Sequence, residues 1–183
     1  MSSDFRSQYV EEVFRGLRGH KRLADGAMAQ LSDEQFFALP DPESNSVAVI
    51  AKHMTGNMRS RFSDFLTSDG EKPDRNRDQE FVMPNDASRE EILRAWEQQW
   101  QLAFDTIHAL QPEDLERTVT IRGQPHSVLQ AVNRAAGHMA YHTGQIVFLA
   151  KHWRGTEWQS LSVPKGQSDS FNAEMREKYN KPA

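Results

Sequence analysis

The chain has 183 residues and 37% hydrophobic content, enough for one sizeable core at roughly 100–200 residues per domain. Its 22 Lys+Arg stand against 26 Asp+Glu, a formal charge of -4 without any polybasic run, which argues against nucleic acid or an anionic membrane surface as partner. The absence of Cys excludes disulfide staples, thiolate ligands and a cysteine nucleophile, so a bound metal must be held by His, carboxylate or water.

Four long helices are predicted from the hydrophobic spacing. Phe5, Tyr9, Val13, Leu17, Ala24, Met28 and Leu31 recur at three- and four-residue intervals and give helix one over about residues 4 to 30. Ser32 and Gln35 read as a capping box for a short turn, which Pro40 and Pro42 prevent from continuing. After the Ser44-Asn45-Ser46 cluster, Val47, Ile50, Ala51, Met54, Met58, Phe62 and Phe65 mark helix two, to about Leu66. Residues 67–86 contain Gly70, Pro73 and Pro84 and no helical period. Loops longer than ~12–15 residues in compact domains tend to be functional or disordered, so this segment is a lid candidate.

Ser88 and Glu91 open helix three, whose apolar face runs through Ile92, Trp96, Trp100, Ala103, Ile107 and Leu110 until Pro112. The β-branched Thr118–Ile121 run, followed by Gly123 and Pro125, predicts a short extended segment and a turn. Ser127 and Gln130 then cap helix four, which reaches about Trp153. Its stretch from Ala135 to Ala150 lacks charged residues but falls short of the roughly 20 apolar residues of a membrane span, and predicts the most buried helix of the set. A terminal turn or two is expected around Phe171 to Tyr179. The expected fold is all-α, an antiparallel four-helix bundle in a single domain over residues 1–183, with a long loop between helices two and three. The start MSSDFRSQYVEE lacks the basic and apolar regions of a secretory signal, which gives a cytoplasmic expectation.

His138 and His142 lie four apart within helix four, so their imidazoles point the same way one turn from each other, the spacing at which two side chains share a divalent cation. Two hydrogen-bonded core histidines satisfy the same pattern, and a third ligand distinguishes the readings. His53, at the flank of the helix-two stripe, and His20, on the apolar side of helix one, are both candidates by spacing. His126 and His152 fall roughly 18 Å and 15 Å away along the helix axis and are too distant. His108 reads as a histidine at the end of helix three.

Two stretches, KHMTGNMRSRFSDFLTSDGEKPDRNRDQEF in helix two and its loop and GHMAYHTGQIVFLAKHW in helix four, resemble the DinB-like (YfiT-like) superfamily of four-helix-bundle metal proteins, in particular a bacterial subfamily with a GEKP-x-RNRD loop. The resemblance implies a three-histidine site of His53, His138 and His142, with His20 structural. It further implies a divalent ion, zinc or nickel, a homodimer, and in some members transfer of a low-molecular-weight thiol to a small electrophilic substrate. A hydrolase that activates water and a non-catalytic bundle with a structural metal or none are the alternatives. Asn57, one turn after His53, and Gln145, three residues after His142, are the nearest polar groups to fix the second ring nitrogens. Between Asp69 and Glu80, five acidic residues are interleaved with Lys72, Arg75 and Arg77, either as a self-paired loop or as a clamp for a carboxylate or phosphate.

Overall fold

A computed structural model describes residues 3–180. Six α-helices, α1 (Ser3–Met28), α2 (Asp33–Phe37), α3 (Val47–Phe62), α4 (Arg89–Ala109), α5 (Val128–Arg154) and α6 (Ser168–Tyr179), are joined by loops and by one hairpin of β1 (Thr118–Ile121) and β2 (Gln124–Ser127). Their starts follow from local chemistry. Ser46 Oγ accepts the Val49 N–H, and Ser88 Oγ accepts the Glu91 N–H. Ser127 and Gln130 form a reciprocal capping box, as do Ser32 and Gln35, so donors that a helix start leaves without backbone partners are satisfied.

The four long helices share one core: α1 packs on α5 and α4, and α3 packs on α4 and α5. Leu17, Ala24, Met54, Met58, Trp96, Trp100, Ile107, Met139 and Ile146 fill it, all essentially inaccessible to water. Each large apolar side chain so buried stabilises the fold by about 1.5–3 kcal/mol before entropy is counted. A second cluster, built from Phe65, Leu110, Leu115, Val119, Ile121, Val128 and Val132, anchors the hairpin to the start of α5. Trp96 and Trp100 therefore belong to the core. Among the described residues no helix is long and apolar enough to cross a membrane.

Several elements differ from the sequence-based expectation. The second long helix stops at Phe62, because Asp64 takes a left-handed conformation and its carbonyl turns back to accept the Thr67 and Ser68 N–H groups, which sends Phe65 into the second cluster. The first ends at Met28, where the chain tightens into the turn that leads to Ser32. The most buried helix is α3, with eleven of 16 residues buried, against eight of 27 in α5. Composition misleads here because α3 is covered by α2, α4, α5 and the long loop, whereas α5 leaves Tyr141 and Phe148 exposed. The extended segment has a partner strand, pairing Val119 with His126 and Ile121 with Gln124. The tail forms a twelve-residue helix where a turn or two was expected.

The long loop is packed against the body of the molecule and contains a 3-10 turn, Asp78–Phe81. Gly70 threads between α3 and the hairpin: its N–H donates to the Thr120 carbonyl at 2.8 Å and its own carbonyl accepts from Ser60 Oγ at 2.8 Å. A Cβ at Gly70 would press on Ile121 Cγ1 at 3.1 Å, so the crossing is tight even for a methyl group. Beside it, the Asp69 carboxylate accepts the N–H groups of Glu71 (2.7 Å), Arg122 (2.8 Å) and Gly123 (2.8 Å), tying the loop to the hairpin turn. Desolvation opposes this carboxylate, but the three backbone donors outweigh it and hold its pKa well below the usual range. Asp69→Ala is expected to lower stability by about 1–2 kcal/mol in urea unfolding and to speed amide exchange at Arg122 and Gly123. An unchanged midpoint with unchanged exchange would show that this tie does not hold the loop.

Candidate metal centre

His53 projects from α3, and His138 and His142 project from successive turns of α5. One ligating atom from each lies within 4.8 Å of those of the other two, and these three residues form the metal-competent cluster found among the described residues. The ring centroids are 5.2 Å apart for His53–His138, 4.9 Å for His53–His142 and 4.5 Å for His138–His142. His53 Nε2 lies 3.2 Å from His138 Nε2. His20 sits on α1 outside the cluster. His108 is at the exposed end of α4 against Phe14, His126 is on β2, and His152 lies beside Trp153.

The outer nitrogens explain why the inner ones face each other. His53 Nδ1 lies 2.8 Å from Glu80 Oε2, and His142 Nδ1 lies 2.7 Å from Gln145 Oε1. A carboxylate and an amide oxygen only accept, so Nδ1 is the donor in each ring and Nε2 is the nitrogen left for the cluster. Phe81 stacks on the His53 ring at 4.6 Å between centroids and shields it from water.

Glu80 is in turn held by Arg75, whose Nε and Nη2 donate to Oε1 (2.8 Å) and Oε2 (2.9 Å) in a bidentate fork. The side chains of Arg75 and Glu80 are only 3% and 9% exposed, which makes this a buried ion pair. Desolvation works against ionisation of Glu80, but the hydrogen bonds from His53 and Arg75 and the Arg75 charge prevail and lower its pKa. Arg75 Nη1 reaches Glu71 Oε2 at 3.1 Å, the same oxygen that Arg61 approaches at 3.0 Å and Arg122 at 3.3 Å.

Burial, followed by the neighbouring His142, His53 and arginine charges, pushes His138 down to about 3. Burial also lowers His142, against the opposing hydrogen bond to Gln145. Both imidazoles are therefore neutral at physiological pH, the form that binds a cation. A cavity of about 440 Å³ opens beside the cluster, lined by the three histidines, Asn57, Tyr141, Gln145, Phe81 and five arginines, Arg61, Arg75, Arg77, Arg122 and Arg134. The donor set, three clustered imidazoles beside open space, suits a divalent transition-metal ion.

A family described as "Protein of unknown function (DUF1572)" matches residues 4–167. The chain belongs to that family. The matched region includes every residue of the DUF1572 site described above and ends just before α6. No curated protein and no solved structure matches the chain.

Of the residues singled out in the sequence of this DUF1572 protein, Gln145 sits on His142. Asn57 is buried and lines the cavity, while the oxygen on His53 comes from Glu80. Arg75 is fully engaged by the two glutamates, and Arg77 is half exposed with its guanidinium over Phe81. Sequence reading missed Glu80, because its approach to His53 depends on the path of a 27-residue chain excursion. A trace of it was present in Gly56: a Cβ there would lie 2.6 Å from Glu80 Cδ, so only glycine makes room for the carboxylate.

An exposed mid-helix Gly→Ala exchange ordinarily stabilises by about 1 kcal/mol. Gly56→Ala is expected to destabilise instead, by about 1–3 kcal/mol, and to deplete the Nδ1–H tautomer of His53 in imidazole ¹⁵N spectra. A stabilised variant with an unaltered His53 spectrum would refute the seating of Glu80 on Gly56.

Proposed function

We propose that this protein is a metal-dependent enzyme in which His53, His138 and His142 hold one divalent ion, zinc or nickel, with Asn57 and Gln145 beside them. The observation that carries the reading is the meeting of three imidazoles from two helices, with one ligating atom of each within 4.8 Å of the others, at the edge of a cavity of about 440 Å³. The architecture is taken as a DinB-like antiparallel four-helix bundle in one domain, consistent with the mutual packing of α1, α3, α4 and α5. Three protein ligands are the number used by catalytic sites, which keep a position open, whereas structural sites are closed by four.

When bound, such an ion lowers the pKa of a coordinated water to about 7 and deprotonates a coordinated thiol. The protein's own residues do the remainder. Glu80, fixed by Arg75, holds the Nδ1 proton of His53; Gln145 does the same for His142; Phe81 keeps water from the back of His53. Because the chain has no Cys, a sulfur nucleophile must arrive as a low-molecular-weight thiol, and the resemblance to thiol transferases makes transfer of that thiol to a small electrophile the preferred reaction. The exposed Tyr141 and Phe148 on α5 support a homodimer.

Protein purified without chelator is expected to carry about one divalent ion per chain by elemental analysis. His142→Ala should lose it, and Glu80→Gln should weaken it about ten- to a hundredfold. The loaded protein should consume an electrophile in a thiol-dependent manner, and consumption without thiol would assign a hydrolase instead. Equal metal content in wild type and His142→Ala would reject the site.

A further inference from the structure

We infer that the cavity beside the histidines is built to bind the anionic group, carboxylate or phosphate, of a small substrate, and that Arg122 and Arg134 are its principal contacts. The inference rests on the enzymatic reading above, whose substrate class it specifies.

The charge balance of the cavity is one-sided. Five guanidinium groups line it, and no acidic side chain does. Arg75 is fully engaged by the buried Glu80 and by Glu71. Arg61 is nearly buried and bonded to the Gly70 carbonyl and Glu71. A single Glu71 oxygen thus faces Arg61, Arg75 and Arg122 together and cannot neutralise all three. Arg122 is 53% exposed with that one contact at 3.3 Å, while Arg134 is exposed and has only a 3.5 Å contact to His126. These two retain free donors of the forked kind that matches a carboxylate or phosphate.

The backbone supplies an independent sign. Arg122 and Gly123 form the two-residue hairpin turn with φ of 56° and 74°. Glycine, asparagine and aspartate are at ease at such positions and arginine is not, so a local cost is accepted where Arg122 faces the cavity. The Asp69 carboxylate, by accepting both turn N–H groups, holds the turn in that conformation. A residue kept in a sparsely populated conformation beside a cavity, when a better-suited residue would serve the turn, points to its side chain as the reason.

The test is calorimetric titration of the purified protein with succinate and, separately, with inorganic phosphate, the tighter probe identifying the preferred group. Arg122→Asn combined with Arg134→Gln is expected to weaken binding about tenfold or more. The melting temperature should stay level or rise, since Asn suits the turn. Arg94→Gln, a surface arginine outside the cavity, should change affinity less than twofold and controls for net charge. Failure of wild type to bind either probe, or equal binding by the double variant, overturns the proposal, as does a lowered melting temperature with affinity retained. The parent reading is separated by His142→Ala: if that variant keeps its metal, the metal site falls while the arginine comparison still decides the anion site.

Discussion

Glu80 is gripped on one side by the Arg75 fork and on the other by the Nδ1 of His53, and this buried chain of charge fixes the geometry of the centre. Neither ion would be tolerable alone in the interior, where an uncompensated charge costs several kcal/mol. Together they satisfy each other, and the remaining carboxylate capacity is directed at a histidine. The loop that carries both residues is thereby pulled onto α3, Gly56 leaves the space Glu80 needs, and Lys52 seals the far end by donating to the Gln79 and Val82 carbonyls at 2.8 and 2.6 Å.

The same interaction separates two roles that the arginines of the loop and hairpin could share. Arg75 is structural in effect, because its donors are occupied by carboxylates and its side chain is sealed. Arg122 and Arg134 are presented to the cavity with donors to spare. A cationic lining next to a cation site is electrostatically unfavourable unless anions enter, and Glu71, Glu80 and Asp78 do not balance five arginines. The lining and the centre therefore make physical sense together for a ligand that brings negative charge to both.

How far the sequence disclosed this depends on the range of the interaction. Elements fixed by local pattern were legible: the long helices from their stripes, the starts at Ser32, Ser46, Ser88 and Ser127 from capping chemistry, and the pairing of His138 with His142 from a four-residue spacing. His53 and His20 were indistinguishable by periodicity, because both lie near apolar faces and only helix packing decides which one meets α5. The early end of α3 turned on a left-handed Asp64, a residue with no strong local signal. Glu80 and Arg122 reach the site through tertiary contacts across many residues, beyond any spacing rule, whereas Arg134 shares the face of His138 and His142 by the four-residue period of α5.

In the proposed centre three histidine nitrogens share one ion and leave room for an exchangeable ligand. X-ray absorption spectroscopy on protein loaded with a single equivalent of zinc or nickel tests it most directly. The expected spectrum shows scattering from three imidazoles plus at least one light-atom ligand that is replaced by sulfur when a small thiol is added. A spectrum with fewer than three imidazoles, or a closed shell indifferent to thiol, would contradict it.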